Sequence, residues 1–224
     1  MSMPSRKSSS KSLERKLDLA VRGGERAKKS AGYRAVLDRQ AYLETVKLLL
    51  QQGANPTKCL QIGVDDEGIP PNSGPWTNAL IFAAANSDDE CVKLLLSSPL
   101  ANVSVVDSDG DTALTAAARN GNGPSVQALI QAGADVNYQD EEGHNPLMLA
   151  LLHENLPACM FLGPLTNLGA RARGGSQPTV IEMAMGKLDS TAAQFIVSLD
   201  EAKALAAECP IAGLLPPQTS RKSL

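Results

Sequence analysis

Residues 107–139 read DSDGDTALTAAARNGNGPSVQALIQAGADVNYQ, and the opening of this 33-residue stretch returns directly after it, from Asp140, as DEEGHNPLMLA. Gly110 and Gly143 are 33 positions apart, as are Leu114 and Leu147, and Ala117 and Ala150. Self-similarity at this period points to a row of stacked helical units, each burying its apolar face against the next.

The unit can be read residue by residue. Asp107-Ser-Asp-Gly110 is a turn in which Gly110 supplies the positive φ that other residues resist. Thr112 is placed to cap a first helix, and Leu114, Ala117 and Ala118 lie on one face of it, small enough for a neighbour to approach closely. Asn120-Gly-Asn-Gly123 ends that helix, Pro124 suits the start of a second, and Gly133 stops it. Val126, Leu129 and Ile130 form the buried stripe of this second helix.

The same template finds other units. Residues 78–106 repeat both helices, and Ala83 lies nine residues before Val92, as Ala117 lies nine before Val126. Upstream, ETVKLLLQQGANP from Glu44 is a second helix with its Gly stop. Its first helix is KLDLAVRGG from Lys16, with an inserted helix-prone segment between that lengthens helix two. Downstream, the unit from Asp140 is about three residues longer, since Gly133 and Gly169 are 36 apart. A fifth unit combines TVIEMAM from Thr179 with STAAQFIVSL from Ser190, and DEAKALAAEC from Asp200 is expected to be a short capping helix that closes the open end. The expected organisation is therefore a basic Ser-rich tail (1–11), a repeat domain (12–215) and a second tail (216–224). The units are 12–57, 73–106, 107–139, 140–174 and 175–199, with the capping helix over 200–209. The whole is an all-α solenoid of four to five helical pairs with hairpin fingers.

Composition agrees with thin, closely packed helices. Hydrophobic residues make up 43% of the 224-residue chain and aromatic residues only 3%, so the core must be built from Ala, Leu, Val and Ile. Residues 1–34 carry ten bases against three acids, a local +7, which leaves −10 on the remainder of a chain whose total is −3. That acidic remainder does not point to nucleic-acid binding. No apolar run approaches a membrane span, and the opening MSMPSRKSSSKSLERK has no apolar h-region. The cysteines, Cys59, Cys91, Cys159 and Cys209, form no CxxC pair and read as buried small hydrophobes in a reducing compartment. The expectation is an intracellular protein, cytoplasmic and also nuclear, with no membrane and no nucleic acid among its partners and monomeric in isolation.

On these residues the chain resembles the ankyrin-repeat family over about Lys16 to Leu199. The family's TPLH stands here as Thr112-Ala113-Leu114-Thr115 and as Asn145-Pro146-Leu147-Met148, so no unit carries the His that in the family ties neighbouring loops. The resemblance implies that partners bind the concave face formed by the hairpin tips and the exposed side of each first helix. Carried over position by position, that face comprises Ser108, Asp109, Asp111, Arg119 and Asn120 in one unit, and Glu141, Glu142, His144, Leu152 and His153 in the next. The acids of this set, with Asp65, Asp66 and Glu67 nearby, favour a partner with a basic segment; solvated polar tips are the plainer reading. Trp76 ends a long finger, Lys58 to Trp76, and either anchors an interface or holds that loop down.

Chemistry-bearing constellations are absent from the sequence. His144 and His153 lie nine apart and do not share a helix face, and neither a GxSxG elbow nor a GxxxxGK[ST] loop occurs. DSDGD lacks the twelve-residue calcium pattern. The expectation is a non-enzymatic scaffold or adaptor without metal or cofactor. The alternative is a regulatory subunit or inhibitor of an enzyme that acts through the 58–76 loop.

Overall fold

Four side chains at one register, Asn78, Thr112, Asn145 and Thr179, each accept a hydrogen bond from the backbone N–H three residues on, at Ile81, Thr115, Met148 and Glu182 (2.9, 3.2, 2.9 and 3.1 Å). Such caps satisfy donors that a helix start leaves open, so the sequence period becomes a period of helix starts. The computed structural model describes residues 13–22, 33–61, 76–120, 123–169, 178–187 and 189–208. The tails expected over 1–11 and 216–224 lie outside the described residues, as do 62–75 of the long finger.

The four capped helices are α3 (Ala79–Ala85), α5 (Ala113–Asn120), α7 (Pro146–Leu152) and α9 (Val180–Met185). Each is followed by a second helix: α4 (Asp89–Leu96), α6 (Gly123–Gln131), α8 (Leu156–Leu162) and α10 (Thr191–Glu208). Ahead of them stand a helix over residues 13–22 (α1) and α2 (Tyr33–Gln51). First helices pack in one row, α3 on α5, α5 on α7 and α7 on α9. Second helices pack in another, from α2 through α4, α6 and α8 to α10. This is the expected all-α solenoid. The one described sheet is a two-residue antiparallel ladder, β1 (Leu60–Gln61) with β2 (Trp76–Thr77).

The core lies between the rows and includes the buried side chains of Leu80, Leu95, Leu114, Leu129, Leu147, Leu162 and Ile196. Ala83, Ala84, Ala117, Ala118, Ala150 and Ala184 are all buried where the first helices meet. Burial on α5 is broader than one face, since every residue from Ala113 to Ala118 is buried; on α7 the same holds from Pro146 to Leu151. The expected exposed side of α5 and α7 is therefore confined to their C-terminal ends, whereas on α9 Glu182 is exposed in the first turn. Gly133, with φ +87°, stops α6, and Gly53, with φ +91°, does the same for α2.

The insertion before Glu44 lengthens α2, as its composition predicts, and the added turns have a structural use. Arg39 reaches Asp88 at 2.8 Å and Tyr42 donates to the same carboxylate at 3.2 Å, while Asp88 caps α4 through Cys91 N. At the other end the expectation of a separate capping helix needs correction: α10 runs unbroken from Thr191 to Glu208. No Gly or Pro occurs between Thr191 and Glu208 to break the helix, and DEAKALAAE is rich in strong helix formers. Along the continuation, residues 201–204 are exposed, and Lys203 Nζ donates to the Gly163 carbonyl at 3.1 Å.

Cys91 and Cys159 are buried, as read from the sequence. Cys59 is not: it is half-buried, with its thiol 3.6 Å from the Val106 carbonyl. Cys209 lies outside the described residues. Burial pushes the Cys91 and Cys159 thiols from an ordinary value near 9 up to about 12. Their neutral forms favour the folded state, so this stabilisation is complete below pH ~9 and is lost as pH rises towards ~12. Urea midpoints should therefore fall above pH ~9, and iodoacetamide at pH ~8 should label Cys91 and Cys159 only after unfolding, read by peptide mass mapping.

Candidate functional site

Two described hairpin fingers are each held by an aspartate that binds its own backbone. Asp107 Oδ1 accepts from Asp109 N (3.1 Å) and Asp111 N (3.0 Å), and Asp107 N donates to Asp111 O at 3.0 Å. Asp140 repeats the arrangement with His144, accepting its N–H at 2.8 Å and donating back at 3.0 Å. The Asp107–Asp109 bond is an Asx turn, and both aspartates specify their finger through local side-chain bonds. Gly110 adopts φ +74°, and a Cβ there would lie 2.8 Å from Glu141 Cγ, so the two fingers are nearly in contact.

The ties between fingers come from residues other than histidine. Trp76 N donates to Ser108 Oγ (3.1 Å), Ser108 N donates to Trp76 O (3.0 Å), and Thr77 Oγ1 donates to Asp107 Oδ2 (3.2 Å). Tyr138 donates its hydroxyl to the Gly110 carbonyl at 2.8 Å. At the TPLH position Thr115 bonds Thr112 reciprocally, hydroxyl to backbone N–H in both directions (2.8 and 3.2 Å).

Two cavities open on the face made by fingers and first-helix ends. The first, about 400 Å³, has a finger wall of Asp109, Asp111, Asp140, Glu141 and Glu142, and a helix wall of Arg119, Leu149, Leu152 and His153. The second, about 300 Å³, lies one unit along, between His144 and Leu152 on one side and Pro178, Glu182, Met183, Gly186 and Lys187 on the other. Leu152, 38% exposed, belongs to both.

The sequence-derived site residues divide accordingly. Asp109, Asp111, Arg119, Glu141, Glu142, Leu152 and His153 converge on the first cavity, and His144 lines the second. Trp76, Ser108 and Asn120 line neither of the two. Ser108 and Trp76 are bonded to each other, with the Trp76 ring exposed, while Asn120 Nδ2 donates to Ala116 O and closes the end of α5. Leu149 and Asp140 are missed by the sequence reading, as are the fifth-unit residues. Gly186 and Lys187 stand at the register of Leu152 and His153, so extending the same alignment one unit further finds them.

Charge within the first cavity is partly consumed internally. Arg119 grips Asp111 with both nitrogens, at 2.6 and 3.0 Å, and Asp111 is buried. Burial, with Asp107 adding to it, pushes the Asp111 carboxyl above the usual range, while Arg119 and Thr115 pull it back. His144 Nδ1 lies 3.3 Å from Glu142 Oε2. What faces solvent is the set Asp109, Glu141 and Glu142, each exposed. Among the described residues no cluster of three or more His, Cys, Asp or Glu could hold a metal ion, and no helix is long and apolar enough to cross a membrane.

Comparison with known proteins follows this geometry. A family model described as ankyrin repeats in three copies matches residues 33–140 and 80–171, well over half of the chain. The chain is 34% identical over 84 residues to the ankyrin repeat protein YahD of Escherichia coli, covering 38% of this chain and 41% of that protein. It is 35% identical over 78 residues to the neurogenic locus Notch protein of Drosophila melanogaster, covering 34% of this chain and 3% of that one. Against the nuclear factor NF-kappa-B p105 subunit of Gallus gallus it is 29% identical over 157 residues, covering 68% and 14%. The chain thus spans less than half the length of each of these relatives.

The internal pair generates a prediction. Arg119→Ala leaves a buried carboxylate without its counter-charge and should lower stability by about 1–3 kcal/mol in urea unfolding. Adding Asp111→Asn should restore part of the loss, and strict additivity of the two changes would show that they are uncoupled.

Proposed function

Because the chain belongs to the ankyrin-repeat family, whose repeats are protein–protein interaction modules, we propose that it is a non-enzymatic scaffold that binds one partner protein through its finger face. The observation that carries the reading is the first cavity, where five carboxylates stand against one guanidinium, itself committed to Asp111. Its remaining charge, on Asp109, Glu141 and Glu142, complements a basic segment of the partner and repels the phosphates of nucleic acid or a lipid surface. Fingers already fixed by Asp107, Asp140 and Tyr138 lose little conformational freedom on binding, which lowers the ordering cost of association. The described cysteines are free thiols, in keeping with a reducing compartment such as the cytoplasm or nucleus.

A second reading, regulation of an enzyme through the 58–76 loop, draws support from the β1–β2 ladder. That ladder clamps both ends of the loop and leaves Trp76 40% exposed beside the next finger.

The first reading is tested by capturing partners from native cytosol with the full chain and measuring the affinity of the identified protein for a triple variant, Asp109→Lys, Glu141→Lys and Glu142→Lys. We expect a loss of about tenfold, carried mainly by slower association and shrinking at high salt, with an unchanged helical circular-dichroism spectrum. Unchanged affinity would remove the acidic face from the mechanism. Replacing residues 62–75 with a short Gly-Ser turn should leave partner binding intact; loss of inhibition of a bound enzyme, with binding retained, would establish the regulatory reading instead.

A further inference from the structure

We propose that the two cavities form one receptor for an extended stretch of the partner in which a lysine or arginine stands two positions from a large apolar side chain. The inference rests on the acidic finger face proposed above and adds the second half of the motif. In the second cavity two of the three polar side chains, Lys187 and Glu182, are already hydrogen-bonded, and the third, His144, has its Nδ1 3.3 Å from Glu142 Oε2. Lys187 Nζ donates to the Leu152 carbonyl at 3.0 Å, and Glu182 accepts from Thr179 N at 2.7 Å in the capping box of α9. What that cavity offers a ligand is the remaining surface of Leu152, Met183 and Pro178, with Gly186 leaving the space open. A cavity of about 300 Å³ with such a lining takes one large apolar side chain.

The first cavity complements this. Leu149 and Leu152 supply an apolar floor for an aliphatic stem, and Glu141, Glu142 and Asp109 supply carboxylates at its mouth, the pairing that suits a lysine or arginine. Leu152 is the shared wall, so the two occupants are neighbours along the ligand. In an extended chain, which advances about 3.3 Å per residue with side chains alternating in direction, adjacent cavities on one face accept residues two positions apart. Charge complementarity fixes which partner covers this groove: a basic and apolar peptide segment, excluded from acidic ones.

The test uses the full 15N-labelled chain titrated with three synthetic peptides in a Gly-Ser background: one with Arg and Leu separated by one Ser, one with Arg alone, and one with Leu alone. Filling the apolar cavity from within supplies the control. Gly186→Phe is sterically allowed, since Gly186 has φ −72° and a Cβ there meets its nearest atom at 3.5 Å. The expected result is joint movement of the Glu141, Glu142, Leu152 and residue 186 amides. The Arg-Ser-Leu peptide should bind about tenfold more tightly than the Arg-only peptide, and Gly186→Phe should abolish that difference. Equal binding of the two Arg peptides, unaffected by Gly186→Phe, would overturn the two-cavity receptor while leaving the acidic face standing. Binding by the Leu-only peptide as tight as by Arg-Ser-Leu would overturn both, and no amide movement with any peptide would overturn the receptor.

Discussion

Close approach of the first helices through alanine is the constraint on which the other parts of this structure depend. Ala83, Ala84, Ala117, Ala118, Ala150 and Ala184 are buried in the row α3–α5–α7–α9, where a larger residue would force the units apart. Because the row is so tight, α5 and α7 are buried on nearly all sides, and only their last residues reach solvent. The face available to a partner is therefore narrow. It consists of finger tips on one side and the helix ends Arg119, Leu152 and His153 on the other, and the cavities lie where these two edges meet.

The fingers are the second consequence. A row of short helices leaves each connecting hairpin alone at the edge, and a hairpin without its own core must be specified locally. Asp107 and Asp140 do this by bonding their own backbones, and Tyr138 and Ser108 then couple one finger to the next. The histidine typical of the family's loop network is replaced at its position by Thr115 and Met148, yet the network is rebuilt from aspartate, threonine and tyrosine. The same aspartates that give the fingers their shape also raise the negative charge of the face, so geometry and electrostatics are not independent here.

How much could be read from the residues follows from the range of each interaction. Turns, caps and the nine-residue step from Ala117 to Val126 are local, and Thr112 announces a helix start without any structure, while Asn78, Asn145 and Thr179 emerge as its counterparts in the structure. The lengthening of α2 is legible in composition, but not its purpose, since Arg39 and Tyr42 meet Asp88 only after the stack has formed. The continuity of α10 is missed because the period creates an expectation of a break that no residue enforces. Among the site residues, the alignment brings Asp109, Arg119, Glu141 and Leu152 to the right face, since register alone decides which residues lie at finger tips and helix ends. It cannot foresee that Asp111 turns inward to Arg119, because that pairing depends on the path of the chain between the finger and the last turn of α5.

That inward pair shapes what the face can recognise. Were Arg119 free, it would neutralise one of the outer carboxylates and oppose a basic ligand; were Asp111 free, its charge would be hidden in a site too dry to hold it without a partner. Joined, they cancel within the wall and leave the exposed charge to Asp109, Glu141 and Glu142, all on flexible side chains at finger tips held by rigid backbones. A second engaged pair of groups, Lys187 on the Leu152 carbonyl and Glu182 on its own helix start, reduces polar competition in the neighbouring cavity, leaving His144 beside Glu142 as its remaining polar side chain. Specificity on this surface thus arises as much from charges the protein satisfies internally as from those it presents, and the division between an acidic and an apolar half falls at one residue, Leu152.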